Sequence, residues 1–205
     1  MRKQTRRKFI SSSAAIGAGI ILTACSEEKL KPNGKIPVVI STWNNKEANA
    51  AAWDKLEQNM SSLDAVEAGA RVPEGDPKEE SVGYGGRPDR EGKVTLDACI
   101  MDKDGNCGAV TYLQKIKHPI SVARKVMEET PHVMLSGSGA LQFALEQGFV
   151  EEDLMTESTT KQYEKWLEKG EYKPKVNIEL HDTIGIIAID KAGDLSGACT
   201  TSGLA

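Results

Sequence analysis

The sequence predicts an α+β fold in which helices are layered on antiparallel sheet. Three observations carry this. Apolar strand-like runs alternate with Ala-rich helical stretches in the order strand, helices, hairpin, helices, hairpin. Two of the strand pairs are joined by short turn signals, Asp104-Gly105 and Lys191-Ala192-Gly193, which make neighbours antiparallel. No internal repeat competes with a single domain of this kind.

Taken in order, Ile36–Thr42 is a short apolar run between turn formers and reads as a buried strand. Asn44 or Asn45 can cap a helix running from Lys46 to about Met60, with Trp53 and Leu56 along it. Ser61–Gly69 reads as a second, short helix that Gly69 stops. Residues 73–93 are rich in Gly, Pro and Glu, and a loop of that length in a compact domain usually has a function. Strands over Thr95–Met101 and Cys107–Leu113 follow, then helices over His118–Thr130 and Gly137–Gln147, the latter ended by Gly148. Residues 151–176 are charged and suit a surface helix or linker. Thr183–Ile189 and Leu195–Thr201 are strands again.

The last hairpin can be read to its register. Lys191-Ala192-Gly193 is a three-residue loop, with Gly193 where a left-handed residue is wanted. Ile189 then faces Leu195, and Thr183 faces Thr201. Directly opposed residues share a face with Cα atoms about 4.5–5.5 Å apart, so the two hydroxyls should lie close together. A cross-strand Thr pair is also an ordinary stabilising feature, so the hairpin by itself leaves catalysis and packing both open.

The chain start reads as an address. A basic segment with Arg6-Arg7 leads into an apolar run and then Leu22-Thr23-Ala24-Cys25. The run is about half the ~20 residues a membrane span needs. Residues 1–24 are expected to be a twin-arginine, lipoprotein-type signal peptide, with Cys25 as the lipidated residue and 25–35 as a tether. The expected location is outside the cytoplasm, as a periplasmic or outer-membrane lipoprotein held to a membrane by its lipid anchor. The first 24 residues hold five of the 26 Lys and Arg residues and none of the 30 acidic ones. An acidic body argues against a nucleic-acid partner.

Cys99, Cys107 and Cys199 are odd in number, contain no CxxC, and are expected to be small buried thiols in strands. His118, His132 and His181 lack ligand spacing, so no metal and no cofactor is assigned. Gly137-Ser138-Gly139 is too short a match to stand as a nucleotide loop.

Nine stretches occur together in order: Ser41-Thr42-Trp43; Ala51-Ala52-Trp53; Leu63–Glu67; Ser81–Gly86 with Pro88-Asp89; Thr95–Ala98; Gly108-Ala109-Val110; Val122–Val126; His181–Gly185; and Cys199–Gly203. In these the chain resembles the glycosylasparaginases, the N4-(β-N-acetylglucosaminyl)-L-asparaginase family of N-terminal-nucleophile hydrolases. The resemblance covers nearly everything after residue 36.

That resemblance implies a C-terminally incomplete αββα four-layer sandwich, with 36–182 as the alpha-chain part and 183–205 as the start of the beta chain. It implies self-cleavage between Asp182 and Thr183, with His181 and Asp182 assisting, and Thr183 as the nucleophile thereafter. Thr201 would supply an oxyanion donor and Trp43 would line the substrate pocket. The Ser81–Asp89 loop is expected to be structural. The substrate would be glycosylasparagine, and the full-length family member a dimer of alpha/beta units. The family's Arg-Val-Gly-Asp substrate-gripping segment lies beyond Gly203, so the 205-residue chain alone is expected to lack asparaginase activity. Alternatives are an isoaspartyl peptidase or L-asparaginase, which shares the self-cleaving Thr, and an inactive surface lipoprotein held by Cys25.

Overall fold

A computed structural model describes residues 34–169 and 183–202. Six strands form one mixed sheet in the order β1-β5-β6-β2-β3-β4. They are β1 (Val38–Ser41), β2 (Leu96–Met101), β3 (Cys107–Leu113), β4 (Met134–Ser136), β5 (Ile184–Ile189) and β6 (Leu195–Thr201). Five helices accompany them: α1 (Lys46–Glu57), α2 (Ser62–Gly75), α3 (Pro119–Glu129), α4 (Gly137–Glu146) and α5 (Glu157–Lys169). Among the described residues no helix is long and apolar enough to cross a membrane.

The hairpin registers agree with the sequence. Ile189 pairs with Leu195 and Ile184 with Thr200. Gly193 holds φ +85°, the left-handed turn position that a Cβ would strain. Asp190 fixes the turn by accepting from the amides of Ala192 (2.9 Å) and Asp194 (3.0 Å). Asp104-Gly105 likewise joins β2 to β3.

The strands divide their side chains cleanly between two faces. Leu96, Ala98, Ile100, Val110, Ile184, Ile186, Ala188 and Ala198 are buried in the core together with residues of α1 to α4. The other face carries Ile40, Cys99, Met101, Cys107 and Ile187, all exposed. The helix side is locked by charge as well as by packing: Arg124 of α3 bridges Asp64 and Glu67 of α2, each at 2.7 Å.

Three local readings need correction. Gly69 does not stop α2, which runs on to Gly75. Instead Gly69 is the point of closest approach: an added Cβ would overlap Ile186 and lie 2.9 Å from the Ala48 carbonyl. Asn45 does not cap α1 through its side chain; its carboxamide donates to the Thr42 carbonyl at 3.1 Å. The cysteines stand in strands as expected, yet Cys99 and Cys107 are exposed and Cys199 half-buried. The pleat turns them to the uncovered face of the sheet.

β4 is missing from the sequence reading. It has only three residues, Met134 and Ser136 are exposed, and it pairs in parallel with β3 alone. The irregular segment ahead of β2 packs closely through its glycines. Gly83 (φ +54°) is in such close contact with the Glu74 backbone that any side chain would overlap it.

Candidate active site

Two adjacent strands bring the hydroxyl residues together. Thr183 stands immediately before β5 and Thr201 ends β6, each one residue beyond the Ile184–Thr200 pair. On its other side Thr201 pairs with Asp97 of β2. Thr183 and Thr201 are half-buried at the edge of the uncovered face. The Ile184–Thr200 pairing is the register that the three-residue loop predicts. His181 and Asp182, like Cys25, lie outside the described residues.

The backbone of Thr183 is held from β1. Trp43 donates its indole N–H to the Thr183 carbonyl at 3.0 Å, and Thr42 donates its hydroxyl to the same oxygen at 3.3 Å. That hydroxyl in turn accepts from the Gly185 amide at 2.9 Å, and the Thr42 amide donates to the Gly185 carbonyl at 2.9 Å. Trp43 reaches the oxygen from a backbone at φ 60°, a conformation rare for a bulky residue. Such outliers cost of order 1–3 kcal/mol and cluster at functional sites. Trp43 is 59% exposed, so it is not a core aromatic.

Thr42 was not singled out from the sequence, although it sits inside the Ser41-Thr42-Trp43 stretch. Asp97 was also passed over. It accepts from the Thr111 hydroxyl (2.6 Å) and the Tyr112 amide (2.8 Å), which fixes its carboxylate toward β3. Only its place in the Thr95–Ala98 stretch could have pointed to it.

Beneath the site lies a buried carboxylate. Glu74, at the end of α2, is fully buried. It accepts from the Thr200 hydroxyl at 2.8 Å and the Ile120 amide at 3.0 Å, and its second oxygen lies 3.3 Å from His118 Nδ1. Burial pushes its carboxyl above the usual range, opposed by the bonds from His118 and Thr200. Thr200 precedes Thr201, so this network anchors the strand carrying the second hydroxyl. Ser202, just past β6, donates its amide to the Ser81 carbonyl at 2.6 Å.

The hairpin docks on α2 through Asp190, which accepts from the Ser62 amide at 3.1 Å, and through Ser62 and Ser196, whose hydroxyls lie 2.9 Å apart. A carboxylate at a helix N-terminus suits both the free amides and the dipole. Among the described residues no cluster of His, Cys, Asp and Glu could hold a metal ion.

Residues 17–205 match the family described as asparaginase. The chain is 55% identical over 207 residues to an N(4)-(β-N-acetylglucosaminyl)-L-asparaginase of Elizabethkingia miricola, across 98% of this chain and 61% of the relative. Rat and mouse proteins of the same name are 37% and 36% identical, over 85% and 90% of this chain and 60% and 63% of their own lengths. The chain thus spans about three fifths of the curated relatives it matches.

Proposed function

The chain belongs to the asparaginase family, and we propose that the protein is an amidohydrolase that cleaves the amide between N-acetylglucosamine and an asparagine side chain. The observation that carries the reading is the hairpin whose Ile184–Thr200 register, continued by one residue, leads to Thr183 and Thr201, together with the Thr183 carbonyl that accepts from Trp43 and Thr42. The names of the relatives support the substrate over a β-aspartyl peptide.

In this reading the precursor cuts itself between Asp182 and Thr183. The Thr183 hydroxyl attacks the Asp182 carbonyl carbon, the peptide C–N bond breaks, and the acyl group passes from nitrogen to oxygen. Water then hydrolyses the ester, with His181 and Asp182 assisting proton movement. This frees the Thr183 α-amine, whose reference pKa of about 7.7–8.0 leaves a usable neutral fraction near neutral pH.

That amine serves as base for its own hydroxyl. The hydroxyl attacks the side-chain amide carbon, the glycosylamine leaves with a proton, and a β-aspartyl ester remains. Water releases aspartate. The Thr201 hydroxyl stabilises the oxyanion in both halves. Trp43 lines the pocket that receives the asparagine part, while Thr42 keeps the β5 backbone in register.

The finer architecture belongs to the same proposal. The apolar uncovered face of the sheet, with Ile40 57%, Met101 41% and Ile187 49% exposed, suits a second sheet stacked on it, which gives the αββα four-layer sandwich. Export through a signal at residues 1–24, lipidation at Cys25, a membrane-anchored location and a dimer of alpha/beta units complete the reading.

The test is an assay of the purified full-length gene product on glycosylasparagine and on a β-aspartyl dipeptide. Release of aspartate from the first in preference to the second is expected. Preference for the dipeptide makes it an isoaspartyl peptidase, and turnover of neither substrate by a folded, cleaved protein refutes the proposal.

A further inference from the structure

Both chain neighbours of Thr201 are tied to one segment of the molecule. Burial alternates along β6, so Thr200 faces the helices. Its fully buried hydroxyl donates to the Glu74 carboxylate at 2.8 Å. On the other side of Thr201, the buried Ser202 donates its amide to the Ser81 carbonyl at 2.6 Å. The segment from Glu74 to Tyr84 closes on itself, because the Tyr84 amide donates to the Glu74 carbonyl at 2.8 Å and Gly83 packs on the Glu74 backbone. We propose that Glu74 is a positioning residue for the amide cleavage, acting through Thr200 to fix the place of the Thr201 hydroxyl. This rests on the reading of Thr201 as the oxyanion donor.

The tether sits where the sheet stops holding the strand. Among the described residues the β5–β6 pairing ends at Ile184–Thr200 and the β2–β6 pairing at Asp97–Thr201. Beyond that point the Glu74 and Ser81 contacts replace the ladder. The carboxylate is a fixed acceptor and cannot follow Thr200 if the strand shifts. One of its oxygens also accepts from the Ile120 amide at 3.0 Å in the first turn of α3, and the other lies 3.3 Å from His118 Nδ1. Glu74 and Thr200 are both fully buried on the side of the sheet that the helices cover. Precision matters here because an oxyanion donor acts only within about 2.7–3.1 Å of the developing charge. A displacement of about 1 Å can cost up to about 10²-fold in rate.

The experiment is steady-state kinetics of the full-length gene product, expressed per cleaved beta chain. The substrate is whichever of glycosylasparagine and a β-aspartyl dipeptide the parent turns over faster. Thr200→Val matches threonine in shape and removes the donor, whereas Thr200→Ser keeps it. Thr200→Val should lower kcat about 10-fold with KM within about 2-fold, and Thr200→Ser should stay within about 3-fold of the parent. In a Thr201→Ala background Thr200→Val should cost less than about 2-fold more, because the group it positions is gone. Glu74→Asp, which draws the acceptor back from Thr200, should repeat the pattern and decides the matter if Thr200→Val does not fold. An active parent that Thr200→Val matches, an equal loss in Thr200→Ser, or a loss undiminished in the Thr201→Ala background would overturn the proposal and leave the reaction itself standing. A folded, cleaved parent that turns over neither substrate would overturn both.

Discussion

Replacing Glu74 by Ala and, separately, by Gln distinguishes its hydrogen-bonding role from its charge. In the structure one carboxylate oxygen accepts from both the Thr200 hydroxyl and the Ile120 amide, in a fully buried site. Alanine removes that acceptor and strands two buried donors, at about 1–3 kcal/mol each, so Glu74→Ala should lose about 2–6 kcal/mol before any cavity is counted. Glutamine keeps an acceptor oxygen for both donors and an amide for His118, so Glu74→Gln should stay within about 1 kcal/mol of the parent near pH 4.5. The two differ in pH dependence. Burial raises the Glu74 carboxyl, so the folded state holds that proton more tightly than the unfolded chain. The stability this contributes is fully present below the unfolded value of about 4.3 and is lost as pH rises through the folded value. Urea unfolding from pH 4.5 to 8 should therefore show Glu74→Gln gaining on the parent as pH rises, by at most about 1.4 kcal/mol per pH unit. His118 is common to all three proteins. If Gln proves as damaging as Ala, or if the gap between parent and Gln is constant with pH, the reasoning is refuted.

Thr201→Ala should leave the fold intact and reduce kcat on glycosylasparagine about 10²–10³-fold, the usual loss of one oxyanion donor, with little change in KM. Trp43→Phe removes one donor from the Thr183 carbonyl and should slow self-cleavage about 5-fold, the equivalent of a hydrogen bond of about 1 kcal/mol, read by gel densitometry of the precursor. Gly83→Ala would force a Cβ into the Glu74 backbone at φ +54° and should cost at least about 2 kcal/mol in chemical denaturation.

The parts of the fold legible in the sequence were those that local chemistry dictates. Gly193 and its neighbours fixed a turn, and the turn fixed the pairing from Ile189–Leu195 to Ile184–Thr200. What failed depended on neighbours distant in sequence. Gly69 looks like a helix stop, but its role is set by Ile186 and Ala48 packed against it. The cysteines look like core thiols because strand composition does not say which face is covered. β4 is too short to show a period and exists through its partner β3. In the site, Trp43 and Thr183 stood out as motif members, whereas Glu74 did not, because a glutamate in a stretch rich in Gly, Pro and Glu reads as solvated loop until its burial is known. Thr42 acts through a contact between β1 and β5 that no local pattern announces.

The central claim is that Thr183 becomes a chain terminus and the nucleophile. N-terminal sequencing of the mature full-length gene product tests it most directly. The account predicts a new amino terminus at Thr183, with its beta chain absent when Thr183 is replaced by Ala. An intact peptide bond between Asp182 and Thr183 in a folded protein that nevertheless turns over glycosylasparagine would contradict it.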